Sequence, residues 1–139
     1  MNGERIFVDT NILIYAHDPT EGQSREVARG LVADLVREPH RAWVSTQVLM
    51  EFYVGLLRKG ASDGVARETV ADLLDWNVVE AGPNLVMFGI QLRERWRVSF
   101  WDAMILAAAM HAGARTLWTE DLNIGQDYGG VVAVNPLAE

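Results

Sequence analysis

Arg5-Ile6-Phe7-Val8-Asp9-Thr10-Asn11-Ile12-Leu13-Ile14-Tyr15-Ala16 is the stretch on which the fold turns. Ile6, Phe7 and Val8 form an apolar run without polar alternation, the pattern of a strand buried on both faces. Asp9 halts the run, and residues 12–15 follow as a short helical turn. A strand that ends on an acid and passes at once into a helix is half of a parallel β-α unit.

The same signature returns along the chain. Thr20-Glu21-Gly22-Gln23 has capping-box spacing and is expected to open a helix through about Arg37. Val27, Leu31, Val32, Leu35 and Val36 supply its apolar stripe, and Pro39 ends it. A second strand at 42–44 leads through a Ser45 cap into a helix carrying Val48, Leu49, Phe52, Leu56 and Leu57, with Gly60 just past its end. Ser62 or Asp63 starts another helix, ending near Asp75, before a third strand at 76–79. A helix at about 84–96 follows, and Ser99 caps a further one at 100–111 that closes on Gly113. Strands at 115–118 and 131–134 complete the set. Five short strands alternating with amphipathic helices predict an α/β fold: a mostly parallel five-stranded sheet flanked by helices in three layers.

The length of 139 residues, without repeat or composition break, is expected to form one domain over 1–139. Half the residues are apolar and 22% are charged, which excludes a disordered chain or a fibre. The absence of cysteine excludes a disulfide scaffold, a thiolate metal site and a cysteine nucleophile, and suits the cytoplasm, the expected location. Nineteen acids against twelve bases give a net charge of −7, which argues against broad binding to a phosphate backbone and leaves room for an acidic pocket ringed by local bases. No run approaches the roughly 18 apolar residues of a membrane span. Asp9, Thr10 and Asn11 interrupt what would otherwise read as a signal-peptide core.

Four carboxylates stand in apolar surroundings. Asp9 ends a strand, Glu51 is the only charge between Ser45 and Leu57, Asp102 the only one between Val98 and Met110, and Glu120-Asp121 follow the strand at 115–118. Ionised carboxylates are seldom buried unless paired or bound to a cation. In open parallel sheets, ligands bind beyond the carboxyl ends of the strands, where Asp9 and Asp121 fall and toward which the first turn holding Asp102 would point. Carboxylates gathered there repel and raise one another's pKa, and a hard divalent cation resolves the repulsion. Each acid also has a structural reading. Asp9 and Asp102 suit helix capping, Asp121 a surface turn, and Glu51 a pairing with Arg58 or an excursion to solvent. Capping accounts for neither Glu51 nor the coincidence of all four.

Val8-Asp9-Thr10-Asn11-Ile12-Leu13-Ile14-Tyr15-Ala16 resembles the opening motif of PIN domains, in particular bacterial VapC-type toxins. Ser99-Phe100-Trp101-Asp102-Ala103 resembles the family's second acidic motif. Leu117-Trp118-Thr119-Glu120-Asp121-Leu122 resembles the third, followed by Gly125-Gln126 and Val134-Asn135-Pro136. Glu51 falls where the family places a helical glutamate, and the resemblance spans nearly the whole chain. It implies a PIN-like fold, an endoribonuclease dependent on Mg²⁺ or Mn²⁺, and an antitoxin that blocks the acidic pocket. It makes Asp9, Glu51, Asp102 and Asp121 the catalytic, metal-binding quartet, and Asn11, Ser99 and Thr119 groups that orient carboxylates or water. Glu120 competes with Asp121 for the fourth place, and the family pattern favours Asp121.

On that reading Mg²⁺ at Asp9 and Asp102 acidifies a water for attack on an RNA phosphodiester. A second ion nearer Glu51 and Asp121, about 3.5–4 Å away, would steady the leaving oxygen, and one ion or two stays open. His17, His40 and His111 read as surface or core rather than as bases. Arg93, Arg95 and Arg97, or Arg58-Lys59, either guide RNA or face solvent, and Trp101 reads as core or dimer contact ahead of base stacking. Surplus apolar surface on the helices at 48–57 and 85–92 suggests a homodimer and a clasping antitoxin. A silent binding module and a DNA nuclease of the same fold remain alternatives. An aspartate-nucleophile phosphatase is the weakest, because Asn11 stands where its second aspartate belongs.

Overall fold

The computed structural model describes residues 3–18 and 22–138. Strand β1 is Ile6–Val8 and runs through Asp9 into helix α1, Thr10–His17. Helix α2 spans Gln23–Arg37, and a short 3-10 turn at Pro39–Arg41 leads into β2, Ala42–Ser45. Helices α3, Thr46–Arg58, and α4, Asp63–Asp72, precede β3, Asn77–Val79. Helices α5, Pro83–Trp96, and α6, Phe100–His111, precede β4, Thr116–Trp118, and β5, Val132–Val134.

The strands form one sheet in the order β3-β2-β1-β4-β5, with every pairing parallel. One isolated antiparallel bridge, Asp127 to Val132, lies at its margin. The expected α/β architecture of a five-stranded sheet flanked by helices is therefore present. The order reverses at β1: the chain leaves it toward β2 and β3, then returns to its other side at β4. That reversal opens a crevice beyond the carboxyl ends of β1 and β4. Register aligns those ends, with Val8 opposite Trp118 and Trp118 opposite Val134. Asp9 N donates to Trp118 O and Thr119 N to Val134 O, both at 2.9 Å, so Asp9 and Thr119 are the first side chains past the edge.

Phe7, Val8, Val44, Leu117 and Ala133 are fully buried, as double-sided burial of the sheet requires. Helix α6 packs against α5, β2 and β4, and every residue from Ala103 to Ala109 is buried. Its small residues let it come close, and Gly89 of α5 gives the reciprocal room: a Cβ there would lie 2.2 Å from Met104 Sδ.

Several caps match the expectation. Ser45, Ser62 and Ser99 accept from the backbone N–H groups of Val48, Val65 and Asp102. The capping box at Thr20-Glu21 lies outside the described residues, and Gly22 at the N-cap of α2 makes no side-chain cap bond. The stripe of α2 is narrower than expected. Ala28, Val32 and Leu35 are buried, whereas Val27 and Val36 are exposed, because among the described residues the helix packs chiefly on α1. Helix α1 is longer than the turn anticipated, since Asp9 caps it from its first residue.

Candidate metal centre

Asp9 is 5% exposed, held between the ends of β1 and β4. Its Oδ1 accepts from Thr10 N at 2.7 Å and its Oδ2 from the Thr119 hydroxyl at 2.8 Å. The Thr119 oxygen in turn accepts from Asp121 N at 3.1 Å, so one buried threonine fixes the strand-end acid and the loop carrying the next. Asn11 Nδ2 donates to Asp121 Oδ2 at 3.1 Å. From the other side, Glu51 accepts from Thr10 Oγ1 at 2.8 Å and from Gln47 Nε2 at 3.4 Å. Gln47 also donates to Trp101 O at 3.3 Å, tying α3 to the first turn of α6 beside Asp102. The Ser99 hydroxyl caps Asp102 N at 3.1 Å and supports its carboxylate.

A cleft of about 670 Å³ opens here between α1 and α3. Asp9, Glu51, Glu120 and Asp121 line it; half-buried Asp102 stands beside it without lining it. Burial pushes the Asp9 carboxyl up to about 7, with Asp121 and Glu51 adding to the shift against the bonds from Thr119 and Thr10. Burial also raises Asp102, with the same two carboxylates adding to it and Ser99 opposing. Four acids from separate segments thus share one field. Among the described residues no arginine, lysine or histidine pairs with any of them.

Glu120 is engaged by a tyrosine of the same cleft. It accepts from Tyr15, whose hydroxyl it raises by its charge and hydrogen bond. That commitment leaves Asp121 as the acid of the pair that reaches Asn11 and influences Asp9 and Asp102.

The donor set fits a divalent cation by its chemistry rather than as a ready cage. As the side chains stand, no three acidic or histidine groups among the described residues close on one point. Neutral donors hold the carboxylates as they stand: Thr119 on Asp9, Asn11 on Asp121 and Thr10 on Glu51. The remaining features suit a hard cation: all the candidate ligands are oxygens and, among the described residues, no basic side chain neutralises them and one oxygen is orphaned. Among the described residues Asn11 Oδ1 is buried without a partner while its amide nitrogen serves Asp121, an orientation a flip would make repulsive.

Other sequence expectations change on this geometry. Glu51 is exposed and bonded to Thr10 and Gln47, so it neither pairs with Arg58 nor sits in an apolar face. Trp101 is 64% exposed with the Phe100 ring against its own, which removes it from the core; its side chain leaves the outer face of a turn whose Phe100 and Ala103 pack inward. His17 bonds Leu13 O at 2.9 Å and packs edge-on to Phe52, away from the acids. Thr10 and Gln47 were not anticipated. Thr10 adjoins Asp9, and Gln47 precedes Glu51 by one helical turn, the spacing at which side chains meet.

A parallel sheet with this switch point and an acidic cleft at its carboxyl edge is the arrangement of a PIN fold, and the PIN domain family model matches residues 6–126. The chain belongs to the PIN domain family. Among solved structures it is similar to VapC20 of Mycobacterium tuberculosis, described as a sarcin-ricin loop cleaving toxin, with 23% identity, TM-score 0.69, and 84% of this chain and 89% of that one covered. It is similar to a toxin-antitoxin complex from Klebsiella pneumoniae at 23% identity and TM-score 0.69, covering 96% and 98%. PAE2754 from Pyrobaculum aerophilum aligns at 17% identity and TM-score 0.65, covering 97% and 93%. No curated protein sequence gives a significant match.

Proposed function

We propose that this PIN-domain protein is an endoribonuclease dependent on Mg²⁺ or Mn²⁺ and acts as the toxin of a toxin–antitoxin pair. The observation that carries the reading is the grouping of Asp9, Asp102, Asp121 and Glu51: burial raises Asp9 and Asp102, the charges of Asp121 and Glu51 add to it, and no basic side chain among the described residues answers them. These four would hold the cation. When bound, it supplies positive charge for the carboxylates and phosphate and acidifies a water.

The chain's own groups prepare that site. Thr119 holds Asp9 in one rotamer and anchors Asp121, Asn11 orients Asp121, Thr10 and Gln47 orient Glu51, and Ser99 steadies Asp102. Hydrolysis adds the water oxygen to phosphorus, breaks one P–O ester bond and leaves a proton on the departing oxygen. Similarity to a toxin described as sarcin-ricin loop cleaving supports the reading of RNA as the substrate, and similarity to a toxin-antitoxin complex supports a protein antitoxin. Met50 and Val54, exposed in the cleft wall, give such a partner apolar surface to cover. Exposed Met87 and Trp101 give a second copy of the chain a comparable surface.

Cleavage of end-labelled RNA by the wild type and by Asp9→Ala, with Mg²⁺ and with EDTA, tests this. Metal-dependent cleavage that the substitution abolishes is expected; cleavage that survives EDTA, or equal cleavage by the variant, overturns it.

A further inference from the structure

We infer that Arg58 binds a phosphate of the RNA strand next to the one being cleaved and so positions the substrate in the cleft, an inference that rests on the ribonuclease reading above. Glu51, Val54, Gly55 and Arg58 follow one another at i, i+3, i+4 and i+7 along α3, and all four line the cleft. The 1.5 Å rise per residue sets Arg58 roughly 10 Å along the helix axis from Glu51. Among the described residues no ion pair joins Arg58 to the acidic cluster, and the separation lets it meet a different phosphate of the same strand.

The availability of Arg58 is the second observation. It is exposed and makes no ion pair or hydrogen bond among the described residues. Lys59, the other base in the cleft wall, is held by Asp18 at 2.9 Å. Arg93, Arg95 and Arg97 do not line the cleft, and Arg95 lies over the Trp96 ring at 4.7 Å. The two basic groups singled out in the sequence are thereby separated, and only the one on α3 faces the acids' cleft.

The chemistry favours a phosphate. A chain of net charge −7 with carboxylates at its reactive end repels a polyanion, so holding the strand in register calls for a local cation on its path. A guanidinium offers paired N–H donors that match two phosphate oxygens. Ile14, Met50 and Val54 line the same cleft as the acids and Arg58 and give it apolar surface on which a base or ribose can lie. Close approach of α1 and α3 keeps this stretch narrow: a Cβ on Gly55 would lie 2.5 Å from Ile14 Cδ1.

Steady-state cleavage of a labelled single-stranded oligoribonucleotide by wild type, Arg58→Ala and Arg58→Lys, with binding measured in EDTA across a salt series, tests the inference. Arg58→Ala should raise KM about tenfold with kcat unchanged, as loss of one charge-assisted contact predicts. Arg58→Lys should recover part of the loss. The slope of log affinity against log salt should shrink by about 0.7, the value for one phosphate contact on a single strand. Wild type that cleaves RNA while Arg58→Ala keeps its KM and salt slope overturns the inference alone. Unchanged RNA kinetics with weakened binding of a poly-glutamate peptide assigns Arg58 to a protein partner and overturns it too. Wild type that neither cleaves nor binds RNA overturns the ribonuclease reading itself.

Discussion

Asp9 has both carboxylate oxygens committed to Thr10 and Thr119, yet burial lifts its pKa from the ordinary 3.8 to about 7. Between those values the folded chain binds more protons than the unfolded one, so its stability falls as pH rises through that window. Asp9→Asn removes the titration. Without metal its melting temperature should exceed the wild type's above neutrality and decline less with pH, as thermal melts followed by circular dichroism will read; parallel curves would count against it. Glu51 acts at a distance, raising both Asp9 and Asp102 by its charge. Glu51→Gln keeps an acceptor for Thr10 and relieves that repulsion, so the metal-free protein should melt higher while cleavage falls. A lower melting temperature would make Glu51 a structural group. The acids were legible as residues because a charge in an apolar run is conspicuous. Thr10 and Gln47 were not, because a threonine or glutamine on a helix carries no such contrast, and their roles depend on which helices face each other.

Among the elements, Ser99 links helix formation to the site. Its hydroxyl caps α6 at Asp102 N, so the bond that starts the helix also fixes an acid. Ser99→Ala should cost about 1 kcal/mol of stability, the usual worth of an N-cap, and should lower cleavage as well. Ser99→Asp should keep the cap and the stability while adding a like charge beside Asp102, raising its pKa further. Denaturant unfolding read beside cleavage separates the two effects; equal losses in both variants would contradict this account of the cap. Most elements were legible from apolar runs, serine caps and terminal glycines, and Gly60 and Gly113 do adopt φ of 96° and 71° past their helices. The errors fell where tertiary contact decides. Val27 and Val36 of α2 are exposed because, among the described residues, the helix packs chiefly on α1 through its other face, and Trp101 protrudes because it leaves the outer side of a turn whose Phe100 and Ala103 pack inward.

At the scale of the molecule, the decisive feature is strand order, which apolar runs alone do not encode. The sequence pattern called for a parallel sheet; the order β3-β2-β1-β4-β5 is what sets Asp9 beside Thr119 and Asp121 at the switch point. Helices α3 and α6 then bring Glu51 and Asp102 within reach of the same field. Among the described residues no helix is long and apolar enough to cross a membrane. On the proposed metal-dependent reading a divalent cation offsets the cost of gathering like charges at one edge, and because binding favours the ionised acids, affinity should climb as pH rises toward and past about 7. Calorimetric titration of Mn²⁺ into the wild type and into Asp9→Asn, just above neutral pH, measures this most directly. Saturable binding with proton release in the wild type, lost in the variant, is the expected result. Identical isotherms for the two proteins, or no saturable binding to the wild type, would contradict it.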